Sequence, residues 1–292
     1  MRALETLTDI NLDDLVSSFG WEDRPQLARL LRFTFRAPAR RFARLMLDFD
    51  AAVGARGLAE ASRLTLRSFA RDVRIFSDPV PAGPLLALSN HPGMIDTLAL
   101  FAALERPDLK IIALDRPFLK SLPNVSERLY FVTDDPSARM ALVRHVSAHL
   151  RAGGAALTFP AGQIEPDPDV YPGAAESLDK WTDSVGVFVR MAPGTAILPI
   201  LVRGVIWEKT ARHILARVKK TREEREKLAA ALQLLAHVIL GVRPLRARVQ
   251  VGRPVTVAAL GSKDTGVIHQ AVLAEMKRLV ENPPQGEGQA AL

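Results

Sequence analysis

From Asp72 onward short apolar runs alternate with stretches of helical spacing, and this alternation limits the possible folds more than any other feature. The runs lie at 73–76, 85–88, 111–114, 129–132, 156–159 and 197–202, with helical spacing at 97–104, 137–151 and 179–191. Strands that alternate with helices predict an α/β fold: a central, mostly parallel mixed sheet flanked by helices on both faces. Residues 246–251 and 255–258 read as two further strands, and a helix over 265–280 closes the unit. Upstream, 12–71 has helical texture throughout. Phe42, Leu45, Met46 and Phe49 fall on one face there, while Arg40, Arg41 and Arg44 lie around the same turns. Pro25, Pro38, Gly54 and Gly57 divide this region into three or four short helices. The organisation expected is an N-terminal helical subdomain over 1–71, an α/β domain over 72–280 and a flexible polar tail over 281–292.

Composition removes several classes of function. The 292 residues include no cysteine, which excludes a disulfide scaffold, a Cys-based zinc or iron–sulfur site and thiol catalysis. The net charge is +7, and between Arg24 and Arg74 there are twelve arginines and no lysine. Such a front suits an anionic membrane surface; nucleic acid is not the expected partner, because no reading motif or aromatic platform accompanies it. No uncharged apolar run is long enough to span a bilayer, and the opening residues are too acidic for a signal peptide. The expected location is therefore the cytoplasm, with peripheral attachment to membrane. Within 211–240, Lys219, Lys220 and residues 222–227 give way to an apolar half, read as a solvated helix leading into a buried one, with a membrane-docking hairpin as the alternative.

The usual signatures of P-loop, dinucleotide-binding and G-x-S-x-G hydrolase sites are absent. His145 and His149 have i,i+4 spacing but no third ligand, and read as surface histidines. Glu165, Asp167 and Asp169 form an acidic loop that could hold a divalent cation, but Pro166 and Pro168 between them favour turn chemistry, and no metal site is expected. The strongest cluster is Ser89-Asn90-His91-Pro92-Gly93-Met94-Ile95-Asp96, after the strand at 85–88 and before an apolar helix. The carboxyl end of a strand is where α/β sheets place their sites. Pro92-Gly93 permits a turn that lets Asp96 reach back to an imidazole nitrogen, which would fix the tautomer and make His91 a general base. About 0.4 such His–Asp spacings are expected by chance in this composition, so the pair draws its weight from the company it keeps. A second cluster, Phe159-Pro160-Ala161-Gly162-Gln163, would leave its strand at the same sheet edge.

At these residues the chain resembles the glycerolipid acyltransferase family, which includes lysophosphatidic acid and glycerol-3-phosphate acyltransferases. Asn90, His91 and Asp96 match its N-H-x-x-x-x-D motif. Phe159, Pro160 and Gly162 match its F-P-E-G motif, with Ala161 in place of the acid. Leu198-Pro199-Ile200 matches its proline-bearing strand, and Gly252-Arg253-Pro254-Val255 is similar to its ending. The resemblance implies transfer of a fatty acyl group from an acyl thioester, acyl-CoA or acyl carrier protein, to a hydroxyl of a lysolipid or glycerol-phosphate-type acceptor. It implies no bound cofactor or metal. His91 and Asp96 would be catalytic; Asn90, Gly93, Phe159, Pro160, Ala161, Gly162 and Gln163 would line the substrate site, with backbone N–H groups near Gly93 or Gly162 facing the oxyanion. The family places a phosphate-gripping arginine after the strand at 129–132, where this chain has Thr133-Asp134-Asp135; Arg116, Arg139 and Arg203 are the candidate substitutes. The altered motifs are also consistent with a non-catalytic lipid-surface binding protein on the same fold.

Overall fold

The computed structural model describes residues 2–213 and 221–292. One eight-stranded sheet runs in the order β4-β3-β5-β2-β6-β7-β1-β8. The strands are β1 (Ala70–Phe76), β2 (Leu85–Ser89), β3 (Lys110–Leu114), β4 (Leu129–Val132), β5 (Ala155–Thr158), β6 (Ala196–Arg203), β7 (Leu245–Val251) and β8 (Gln289–Ala290). The run from β4 to β6 is parallel throughout, β6 meets β7 antiparallel, and β7 and β1 are again parallel. The ends of β2, β5 and β6 therefore emerge side by side.

Side-chain alternation on β2 divides the core. Leu85 and Ala87 join one cluster and Leu86 and Leu88 another, so helices must cover both faces. The first face carries α1 (Arg2–Phe19), α2 (Pro25–Arg56), α3 (Leu58–Phe69), α4 (Met94–Leu104) and the helix Arg222–Leu240; the second carries α7 (Pro136–Arg151) and the helices Ser184–Met191 and Thr265–Glu281. Between β3 and β4 lie two single turns, α5 (Pro117–Lys120) and α6 (Pro123–Ser126). The N-terminal helices share their core with the sheet: Phe42, Met46, Phe49, Leu66 and Phe69 lie in one cluster with Ala87 and Ile200. Asp50 of α2 accepts from Asn124 Nδ2 at 2.9 Å and from Val125 N–H at 2.8 Å, tying that helix to α6.

Several elements differ from the sequence expectation. Pro25 opens α2 as expected, but the helix then continues through Pro38. An interior proline costs about 3 kcal/mol, whereas each large apolar side chain buried contributes about 1.5–3 kcal/mol, and α2 buries Leu31, Phe42, Met46, Phe49 and Val53. The real break is Gly57, whose φ of 82° separates α2 from α3. Residues 255–258 do not form a strand: Val255 makes an isolated bridge to Ile197, and a helical turn, Val257–Leu260, follows under a Thr256 cap. The span 179–191 is broken by Trp181 into a 3₁₀ turn, Leu178–Lys180, and the helix Ser184–Met191. The tail is not frayed, because β8 pairs with β1 and Ala291 is buried beside Val73.

The arginine-rich face also has a different outlet. Glu5, Asp9 and Asp13 recur every four residues along α1 and meet Arg40 and Arg36, Arg36, and Arg32 of α2 respectively. Phe42, Met46 and Phe49, on the same turns as Arg40, Arg41 and Arg44, are buried in the core. In the charged part of 211–240, Lys219 and Lys220 lie outside the described residues; the helix Arg222–Leu240 starts from a Thr221–Glu224 capping box and buries Leu228 and Ala229.

Candidate functional site

The cluster after β2 forms a tight turn into α4. Gly93 has extended backbone and is closely approached: a Cβ there would lie 3.3 Å from Ile206 Cδ1. This turn brings Asp96, in the first turn of α4 and fully buried, to His91 with Nδ1 to Oδ2 at 2.8 Å. Asp96 is further fixed by Gly93 N–H to Oδ2 at 2.9 Å, by Thr97 Oγ1 to Oδ1 at 3.0 Å and by the Thr97 N–H. A carboxylate can only accept, so it holds the proton on Nδ1 and leaves Nε2 with its lone pair. The imidazole is 28% exposed, its ring lies 4.6 Å from that of Phe159, and Nε2 has no partner among the described residues. Burial alone would lower the His91 pKa, but the charge and hydrogen bond of Asp96, with a contribution from Glu165, raise it above the ordinary 6.5. The arrangement is an oriented base at the sheet's carboxyl edge, open on one nitrogen.

The other expected site residues divide into those at the imidazole and those spent elsewhere. Phe159, just beyond β5, is the residue that the structure brings to His91. Pro160 is buried, with its carbonyl taken by Thr182 N–H at 3.2 Å, and Ala161 packs on the second core cluster. Gly162 is exposed at φ 63° and Gln163 is half-buried beside it. Asn90 is 3% exposed and both ends of its amide bond Val202, so it fastens β2 to β6 instead of presenting a free group. The N–H of Gly93 is given to Asp96, and that of Gly162 to Phe159 O at 3.0 Å. Neither glycine's own N–H is therefore free for an oxyanion in this conformation.

The cations considered as phosphate ligands also have other work. Arg203 is 2% exposed and binds Asp169, Leu279 O and Val280 O. Arg139 pairs with Asp134 at the end of β4, and Arg116 lines a cleft with Asp13, Asp14 and Phe118 away from His91. Asp135 caps α7. His145 is exposed, whereas His149 is half-buried with Nε2 between Asp108 O and Ala155 O.

Sequence reading did not place Glu165 at the site. It is 2% exposed; its Oε2 accepts from His91 N–H at 3.1 Å, and its own N–H donates to His91 O at 2.9 Å. Its Oε1 accepts from Trp181 Nε1 at 2.8 Å and Ser177 Oγ at 3.2 Å. Burial pushes its carboxyl up to about 7 despite these donors and the nearby imidazole. Asp167, also buried, accepts from the N–H groups of Gly204, Val205 and Ile206, and Asp169 pairs with Arg203 and Arg248. Each carboxylate of the acidic loop thus has its own protein partners, and the loop ties the β2, β5 and β6 ends together.

No protein-family model matches the sequence, and no curated protein matches it. Among solved structures, the chain is similar to the crystal structure of the 1-acyl-sn-glycerophosphate (LPA) acyltransferase PlsC from Thermotoga maritima. The identity is 15%, the match covers 96% of this chain and 92% of that chain, and the TM-score is 0.44. Among the described residues no helix is long and apolar enough to cross a membrane.

Proposed function

We propose that the protein is an acyltransferase that moves a fatty acyl group from an acyl thioester, acyl-CoA or acyl carrier protein, to a hydroxyl of a glycerolipid-type acceptor. The observation that carries this reading is the His91–Asp96 pair, with Nε2 open beside Phe159. Nε2 takes the acceptor hydroxyl proton as the oxygen attacks the thioester carbonyl. The tetrahedral oxyanion then collapses, the C–S bond breaks, and the imidazolium returns the proton to the departing thiolate. Asp96 keeps Nδ1 protonated and steadies the imidazolium. No serine or cysteine of the protein's own is needed, since the nucleophile belongs to the acceptor.

The same reading gives the exposed apolar residues a use. Phe33 is 85% exposed and Leu240 71%, with Leu30 and Ile239 also exposed, and Arg29, Arg41, Arg44 and Arg243 are exposed in the same stretches of chain. Arg41 bonds Val238 O at 3.2 Å, so α2 and the C-terminal end of the helix Arg222–Leu240 meet near Leu240. Such a surface suits peripheral docking on anionic membrane at the cytoplasmic face. Mass spectrometry of products from labelled acyl-CoA and a panel of hydroxyl acceptors tests the activity. Lipid binding without any product from acyl-CoA or acyl carrier protein would favour the non-catalytic lipid-surface alternative.

A further inference from the structure

We propose that Glu165 is a positioning residue for the base: it holds the His91 main chain and, when ionised, adds its charge to that of Asp96 in favouring the imidazolium. This rests on the reading of His91 as the general base. In the resemblance the acid belongs four residues earlier, where Ala161 stands; here an acid reaches the base from the far side of the turn.

The hold is reciprocal. The Glu165 carboxylate takes the His91 N–H, and the Glu165 N–H bonds the His91 carbonyl, so one residue grips both main-chain polar groups of the other. Trp181 and Ser177 fix the second carboxylate oxygen, so both oxygens of the side chain are held. A backbone carbonyl could have satisfied the His91 N–H without cost, whereas a buried carboxylate is expensive to desolvate. What the carboxylate adds is charge. When His91 becomes cationic during proton transfer, an ionised Glu165 favours that form. The Glu165 pKa of about 7 keeps this influence within the range in which an imidazole titrates.

The other charged groups around Glu165 are otherwise engaged. Asp96 is bound to the imidazole itself, Asp167 to the loop after β6, Asp169 to Arg203 and Arg248, and Asp179 faces Lys277 at 3.7 Å. Glu176 and Lys180 are exposed on the segment that carries Ser177 and Trp181.

The test is NMR titration of the His91 ring from about pH 5 to about pH 9 in the wild type, Glu165→Gln and Ser177→Ala, with kcat/KM profiles recorded alongside. Glu165→Gln removes the charge and should lower the His91 pKa by about half a unit or more. The acid limb of kcat/KM should move down by the same amount. Ser177→Ala withdraws one donor from the carboxylate, disfavours its ionisation and should shift His91 in the same direction by less. If Glu165→Gln does not fold, Ser177→Ala decides. An unchanged His91 pKa in the folded variants would make Glu165 a structural tie only and overturn the proposal. Absence of acyl transfer in every protein, with the His91 shift present, would instead overturn the acyltransferase reading and leave the link between Glu165 and His91 standing.

Discussion

The side-chain amide of Asn90 grips the main chain of Val202 at both ends, donating from Nδ2 to the carbonyl at 2.9 Å and accepting the N–H on Oδ1 at 2.8 Å. It acts as an extra peptide group that joins the end of β2 to β6 just before His91. Asn90→Ala leaves two buried backbone groups unpaired and should cost about 2–4 kcal/mol in urea unfolding. Asn90→Asp keeps the acceptor but sets a carboxylate against a carbonyl, and should also destabilise. Unchanged midpoints would show that the clamp does not hold the strand ends.

His91→Ala should reduce acyl transfer by roughly 10²- to 10⁴-fold, the usual effect of losing a general base. His91 is partly exposed and its Nε2 is unbonded, so above its titration range, where its charge adds no stability, the melting temperature should change little. Asp96→Asn is different: Asp96 accepts from four donors, so the amide loses stability as well as the correct tautomer. Turnover must therefore be counted per folded molecule. The double variant should be little worse than His91→Ala, because the two residues act as one unit. Additive losses would separate their roles.

The pH dependence follows from the two raised pKa values. His91 must be neutral to act as a base, so kcat/KM should climb with pH through an apparent pKa above 6.5. Stability runs the other way. Glu165 binds its proton more tightly in the folded protein than its ordinary 4.5, so its contribution to stability is complete below about 4.5 and lost as pH rises through about 7. His91, also raised, adds stability below 6.5 that is lost above its folded value. Unfolding free energies measured from pH 4.5 to 8 should decline, and Glu165→Gln should flatten the slope. A parallel slope in the variant would remove Glu165 as its source.

Lysophosphatidic acid should not be the preferred acceptor. Asp134 is exposed just beyond β4 and pairs with exposed Arg139, and β4 lies three strands from β2, about 14 Å away. Arg203 is locked in the interior. Comparing kcat/KM for lysophosphatidic acid with neutral and zwitterionic lysolipids decides the point; a clear preference for the phosphate monoester would require a cation at the site that these contacts do not supply.

Flotation with anionic and neutral vesicles should show binding that depends on charge and on the exposed apolar groups. Phe33→Glu combined with Arg41→Glu should abolish it, since interfacial basic residues contribute about 1 kcal/mol each. Arg36→Glu should matter less, because Arg36 already faces Glu5 and Asp9. Equal binding by all three proteins would place the lipid contact elsewhere.

The His91–Asp96 turn was readable because all its parts lie within eight consecutive residues and the Pro-Gly pair announces the bend. Glu165 was not, since its role depends on Trp181 and on a main-chain bond across 74 positions. Asn90 was placed in the site by its motif, but its partner lies 112 positions away, and local pattern carries no trace of that contact. The same limit explains the continuous α2: Pro38 reads as a stop until the core beneath the helix is known. It also explains β8, a two-residue strand whose polar sequence has no strand signal of its own.

The position of β1 in the sheet has a consequence for biosynthesis. Its neighbours are β7 and β8, and Ala70 takes its place opposite Leu245. On the ribosome β1 therefore emerges with both hydrogen-bonding edges bare and keeps them so until β7, more than 160 residues later, has been made. Pairing over such a separation is slow to form, and an open edge is an invitation to other nascent chains. A chain halted before Leu245 would expose β1 permanently, and chaperone capture is its expected fate.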